Sequence, residues 1–367
     1  MSEIYNYGKQ WISENDKKNV IDVLESDYLT CGPKVKAFED AICKYTGARY
    51  CVAVMNATAG LHIAMLALDV GEGDEIVTST NTFLASSNCV LYVGGKPIFA
   101  DIEAETANID VKEIEKHITS KTKAIIPVHF AGQSCDMEAI SALAKKHSLK
   151  VVEDAAHAIG SDYKGTKVGS CKFSDIAVFS FHPVKTITTG EGGAIVTNDE
   201  VLYKKICAFR SHGTYKDVGI AKTWEYEMRD LGFNYRMTDL QAALGVSQLE
   251  RLDEFKKRRR EIVDYYNKNL GLPHLQEKDY SNACFHLYPI LVKNRKDFYL
   301  KARKKNLNLQ VHYIPVHLQP YYKNLGYKKG DYPKAEAYYD KCLSLPLYPL
   351  LTDKDLYEIV KRLREIM

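Results

Sequence analysis

The stretch FSFHPVKTITTGEGG, residues 179–193, passes one lysine, Lys185, between short apolar runs and a cluster of Gly, Thr and Glu. It closes one apolar β-type run, DIAVFSF, and opens another, GAIVTND. Burying an ammonium is costly unless it is paired or neutral. Lys185 therefore either rides a surface loop or is an amine held for chemistry at a strand's carboxyl edge.

Upstream, the runs YCVAVM, EIVTS, KPIFAD, KAIIPVHF and LKVVED are separated by segments with helical spacing, among them TAGLHIAMLAL and MEAISALAKKHS. Short β-rich runs alternating with helices predict an α/β fold whose mostly parallel sheet is covered on both faces. Ligands in such sheets collect at the carboxyl ends of the strands. After GAIVTND a long helical stretch, residues 237–270, ends at Gly271 and Pro273 and reads as the bridge into a smaller unit. That unit carries the strand-like runs FHLYPILV and LQVHYIPV and the helix-like YPKAEAYYDKCLSL. The expected division is a large domain over 1–245, with an N-terminal arm, and a small C-terminal domain over 246–367.

A chain of 367 residues is long enough for two such units. The formal net charge of +3 gives no nucleic-acid or membrane-surface footprint, and the basic run KKRRR, Lys256 to Arg260, reads as a solvated helix face. No apolar stretch approaches a membrane span and the first residues lack a signal-peptide core, so the expected location is cytoplasmic. The nine cysteines include no Cys-x-x-Cys pair, which points to neither a zinc cluster nor a disulfide frame. No metal site is expected.

Three places carry candidate chemistry. In VVEDAAHAIG, Asp154 and His157 follow a strand at once, although a lone Asp there most often caps a helix. In FSFHPVK the strand delivers Ser180 and then Lys185. In MNATAGLHIAML a strand leads into a helix whose first turn holds Thr58, Ala59 and Gly60, where free amides and the helix dipole suit a phosphate. An amine for an imine bond, an acid for a pyridine nitrogen and a phosphate anchor together match the needs of pyridoxal 5'-phosphate. Rival cofactors lack their motifs: there is no Gly-x-Gly-x-x-Gly and no Walker loop.

These blocks, with SDYLTCGPKVKAFED, STNTFLASSNCVLYVGGKPIFADI, RSHG, LGFNYRMTDLQAALGVSQLERL and QVHYIPVH, resemble the DegT/DnrJ/EryC1/StrS family of sugar aminotransferases over nearly the whole chain. The resemblance implies the pyridoxal-phosphate transferase fold of type I, the aspartate aminotransferase type, with a seven-stranded sheet. It implies that Lys185 forms the imine and shuttles the proton, Asp154 pairs with the pyridine nitrogen, and His157 lies near the ring oxygen. The Thr58 and Ala59 amides and the Ser180 hydroxyl would hold the phosphate, and Phe83 would stack on the ring. Asn234 would reach a neighbouring subunit's phosphate, implying a homodimer with shared sites. His182, Arg236, His312, Tyr313 and His317 fall where the family approaches its sugar nucleotide. Thr186 follows the lysine where relatives have Pro, His or Asn, a change that reads as tuning the substrate.

Within the family the blocks look most like transaminases that aminate a UDP-4-keto-6-deoxy-N-acetylhexosamine towards pseudaminic acid, with L-glutamate as donor and pyridoxamine phosphate between the two half-reactions. The alternatives are another nucleotide-sugar aminotransferase or a non-catalytic protein on the same fold. A sugar dehydratase of this fold has His where Lys185 stands.

Overall fold

The structure, a computed structural model, describes residues 3–215 and 224–367. Helices α1 (Glu14–Leu24) and α2 (Pro33–Thr46) precede a sheet of seven strands: β1 Tyr50–Val54, β2 Glu75–Ser79, β3 Lys96–Ala100, β4 Thr122–Ile126, β5 Lys150–Asp154, β6 Ile176–Ser180 and β7 Gly193–Thr197. All seven coincide with the expected runs. Their spatial order is β1-β7-β6-β5-β4-β2-β3. Only β7 runs antiparallel to its neighbours, β1 and β6; the pairs β6·β5, β5·β4, β4·β2 and β2·β3 are parallel. The carboxyl ends of β1, β2, β5 and β6 consequently share one edge.

Period-two alternation divides the strands between two cores. Ala177 and Phe179 of β6, with Ala53, Ala194 and Val196, join Phe38 and Ile42 of α2 on one face. Val178 and Ile176, with Val52, Val54 and Ile195, meet α3 (Ala57–Ala67) on the other. There, a Cβ on Gly60 would come within 2.8 Å of Val178 Cγ1, so glycine lets α3 lie close on the sheet. Further connections between strands carry α4 (Ala85–Tyr92), a short helix over Val111–Lys116 and α5 (Met137–Lys146), and α6 (Glu200–Arg210) follows β7.

The long helical stretch is two helices, α7 (Asp239–Glu250) and α8 (Leu252–Leu270), which meet at Arg251. Leu249, Leu252 and Phe255 pack with the sheet's core, whereas Ile262, Val263 and Tyr266 pack in the second unit. That unit contains the antiparallel pair β8 (Tyr288–Leu291) and β9 (Cys342–Leu345) and the terminal helix α9 (Asp353–Arg364). Here the sequence reading needs correction. YPKAEAYYDKCLSL is helical only over Pro333–Tyr339, and CLSL is β9, drawn into strand by the paired edge of β8. LQVHYIPV forms no strand and keeps only a bridge from Gln310 to Ser344; the short strand lies just before it, at Leu307–Asn308, and pairs in parallel with Tyr5–Asn6 of the N-terminal arm.

The run KKRRR is likewise not a solvated face. Arg259 is 1 % exposed and donates to the carbonyls of Phe285 and Leu347, while Lys256 pairs with Asp162 and Arg260 with Glu277. Its cations stitch α8 to both units by satisfying backbone carbonyls and buried carboxylates. No helix among the described residues is long and apolar enough to cross a membrane.

Candidate active site

A cavity of about 570 Å³ opens at the shared carboxyl edge of the sheet, lined from the large unit by Asn56, Ala57, Thr58, Thr82, Phe83, Asp154, His157, Ser180, His182 and Lys185. From the arm and the second unit it receives Tyr7, His286, Gln310, His312 and Tyr313. Most of the expected site residues thus converge.

Lys185 keeps partial exposure to the cavity, yet desolvation pulls its amine from the ordinary 10.5 down to about 8, against the Asp154 carboxylate, which pulls the other way. Asp154, 5 % exposed, ends β5; its Oδ1 accepts from the Ala156 amide at 3.1 Å and its Oδ2 from Ser86 Oγ at 2.5 Å. One oxygen thus satisfies a local turn while the residue still faces the cavity.

Burial and then the charge of Lys185 hold His157 well below its ordinary value, and the same two causes take His312 down to about 3. These imidazoles are neutral around the amine. His157 Nε2 shares a hydrogen bond of 3.1 Å with the Tyr313 hydroxyl. The His286 ring lies 4.4 Å from that of His157, centroid to centroid, tilted by 51°. The Nδ1 atoms of His157 and His286 are buried and have no hydrogen-bond partner among the described residues.

The anion anchor differs by one turn position from the sequence reading. Asn56 caps α3 by accepting from Ala59 N at 2.8 Å, so the Ala59 amide is spent and its side chain is buried off the cavity. The first-turn amides left for an anion belong to Ala57 and Thr58. Gly193, opposite Ser180 in the sheet register, backs directly onto this turn: a Cβ there would lie 2.7 Å from Ala57 N. Phe83 remains 58 % exposed at the mouth, its ring 6.1 Å from that of Tyr313.

Three expected residues stand elsewhere. His317 is fully buried away from the cavity, with Nδ1 2.6 Å from Thr80 Oγ1 and Nε2 3.0 Å from Glu336 Oε1, a bridge between units rather than a cavity wall. Arg236 lines a separate cleft with Cys31, Glu39 and Arg210. Asn234 is exposed, bridging Ser211. Thr186 is buried and does not line the cavity; its hydroxyl meets Cys284 Sγ at 4.0 Å. His286, Tyr7, Gln310 and Ser86 were not singled out from sequence. The apolar alternation of FHLYPILV masked His286, and no local pattern marks the others.

The assembly can hold a flat heteroaromatic ring between Phe83 and the strand ends, with an anionic group at the start of α3, a ring nitrogen towards Asp154 and a carbonyl within reach of Lys185. Comparison with known proteins agrees with that chemistry. The model of the DegT/DnrJ/EryC1/StrS aminotransferase family matches residues 10–364. The spore coat polysaccharide biosynthesis protein SpsC of Bacillus subtilis is 41 % identical, covering 98 % of this chain and 96 % of its own. Uncharacterized protein MJ1066 of Methanocaldococcus jannaschii is 42 % identical, covering 97 % and 96 %. Among solved structures, Helicobacter pylori PseC, an aminotransferase involved in the biosynthesis of pseudoaminic acid, superposes with a TM-score of 0.93 at 34 % identity and covers 99 % of both chains. The pyridoxal-phosphate form of Spr1654 of Streptococcus pneumoniae does so at 0.93 and 32 % identity, covering 99 % and 98 %.

Proposed function

The chain belongs to the DegT/DnrJ/EryC1/StrS aminotransferase family, and from that premise we propose that it moves an amino group from L-glutamate to carbon four of a UDP-linked 4-keto-6-deoxy-N-acetylhexosamine. It is a sugar aminotransferase of the aspartate aminotransferase fold, and pyridoxal 5'-phosphate is its coenzyme. The residues present fit that group: Asp154, Lys185, Ser180 and a glycine-backed helix start border one space, and two imidazoles that also line it keep buried nitrogens without partners among the described residues. When bound, the coenzyme supplies a carbonyl that takes up the amine and a ring that withdraws electrons.

In this reading Asp154 holds the ring nitrogen, the Ala57 and Thr58 amides with Ser180 hold the phosphate, and Phe83 covers one ring face. Lys185 Nζ takes a proton from the donor's α-carbon and returns one to carbon four of the sugar. An amine drawn to about 8 can work in either direction near neutrality. His157 and Tyr313, joined by their hydrogen bond, orient the ring oxygen side and close that wall to water. His182, 47 % exposed by its side chain, and His312 line the same cavity and would approach the sugar.

The observation that carries the proposal is Lys185, an amine desolvated in a cavity it shares with Asp154. The choice of sugar is supported by the likeness to PseC and SpsC and by the FSFHPVK and LGFNYRMTDLQAALG blocks. A second copy of the chain would complete the site: Asn234 is exposed, and so are Trp224, Tyr226, Met228 and Leu231 a few residues before it, apolar surface that a homodimer would bury. Nine unpaired cysteines agree with a cytoplasmic setting. The test is a panel of nucleotide-linked 4-keto sugars with L-glutamate, products read by NMR. Amination of the UDP-4-keto-6-deoxy-N-acetylhexosamine that disappears in Lys185→Ala is expected. Turnover with dTDP- or GDP-sugars alone would refute the choice of nucleotide.

A further inference from the structure

Helix α4 starts without a side-chain cap, its N-cap position being Leu84, although Thr82 and Ser86 flank it. Hydroxyls at a helix start are ordinarily spent on its free amides. Here they point elsewhere. Ser86 is fully buried and its Oγ lies 2.5 Å from Asp154 Oδ2; Thr82, 2 % exposed, places its Oγ1 2.6 Å from the same Ser86 Oγ. A weaker contact of 3.3 Å joins Ser86 Oγ to the Phe83 carbonyl.

A serine has one proton. The short contact to a carboxylate is its strongest use, so the Thr82 hydroxyl must donate to Ser86 and Ser86 to Asp154. With the Ala156 amide on Oδ1, both carboxylate oxygens are then held, and the plane of the group is set before any ligand arrives. Such chains polarise one another in a dry environment. We propose that Ser86, backed by Thr82, is a positioning residue that fixes the Asp154 carboxylate against the coenzyme's ring nitrogen. It acts through Asp154 and touches neither substrate nor coenzyme. The inference rests on the pairing of Asp154 with that nitrogen proposed above.

The experiment compares wild type, Ser86→Ala, Thr82→Val and Asp154→Asn by two readouts that do not use turnover. These are the dissociation constant of pyridoxal 5'-phosphate for the stripped protein and the pH midpoint of the visible absorption band of the loaded protein. Losing a hydrogen bond to a charged group weakens binding roughly ten- to a hundredfold. Ser86→Ala should lose about that much. Its band midpoint should move to higher pH, because a less stabilised positive ring nitrogen lets the imine nitrogen keep its proton longer. Thr82→Val, nearly isosteric, should move both readouts the same way by a few fold, and it decides the matter if Ser86→Ala does not fold. Asp154→Asn should exceed both. If Asp154→Asn shifts both readouts while Ser86→Ala and Thr82→Val match wild type, the positioning role is overturned. It is equally overturned if the serine and threonine variants weaken binding with the midpoint unmoved, the mark of packing alone. If Asp154→Asn itself matches wild type, the pairing on which the proposal rests is what fails.

Discussion

The amine of Lys185 supplies the most direct test of the site. An ordinary lysine titrates at 10.5, so at pH 8 only about 0.3 % of it is the neutral nucleophile. Desolvation in the cavity brings the group to about 8, where half is neutral, a gain of roughly two orders of magnitude in reactive amine. Protein stripped of coenzyme and mixed with pyridoxal 5'-phosphate should therefore capture it at a rate that rises with pH and levels off above about 8, followed by the growth of the visible band. Asp154 opposes the shift by stabilising the ammonium, so Asp154→Asn should lower the midpoint further. The same group leaves a signature in stability. Below pH 8 both folded and unfolded chains carry the proton and the desolvation penalty is present in full. Between about 8 and 10.5 the unfolded chain binds more protons than the folded one, so this group's contribution to stability rises with pH across that window. A capture midpoint near 10, or an upward shift in Asp154→Asn, would refute the reasoning.

Three further outcomes follow from the geometry. Phe83→Ala, which uncovers one face of the ring site, should weaken coenzyme binding by about 0.5–1.5 kcal/mol with little change in thermal midpoint, measured by titration and calorimetry. Gly193→Ala would drive a methyl against Ala57 N and the Asn56 backbone; it should cost about 1–3 kcal/mol of stability and lose phosphate affinity together, since the start of α3 must move. His317→Ala should destabilise the protein by about 1–3 kcal/mol by leaving Thr80 and Glu336 unsatisfied, while KM for the sugar nucleotide stays at the wild-type value. A raised KM at unchanged stability would return His317 to the sugar site.

Residues legible from the chain alone share a local cause. Asp154, Ser180 and Lys185 each follow an apolar run that ends at the edge where ligands bind, and the Asn56 turn opens a helix, so strand periodicity and one capping pattern are enough to find them. Residues that escaped do so for a different reason. Tyr7, His286, Gln310 and Ser86 reach the cavity or Asp154 from positions that no strand-end or capping pattern marks, and only the docking of the arm, the second unit and α4 onto the sheet brings them there. Two of the misplacements are also instructive. Ala59 was expected at the phosphate, but the Asn56 side chain claims its amide, moving the free donors back to Ala57 and Thr58. His317 lies five residues from His312 in one motif, yet a turn over Val316–Leu318 sends it into the interface with Glu336.

Alternating hydrophobicity and the order of the runs settle the seven strands, the two-faced sheet and the lysine–aspartate pair, because those depend on spacing along the chain. The break at Arg251, the recruitment of CLSL into a strand, the burial of Arg259 and the Thr82–Ser86–Asp154 chain depend on which surfaces meet. Desolvation is likewise a property of the assembled cavity. A lysine amine near 8 and imidazoles held neutral are created only when the second unit closes over the strand ends and excludes water.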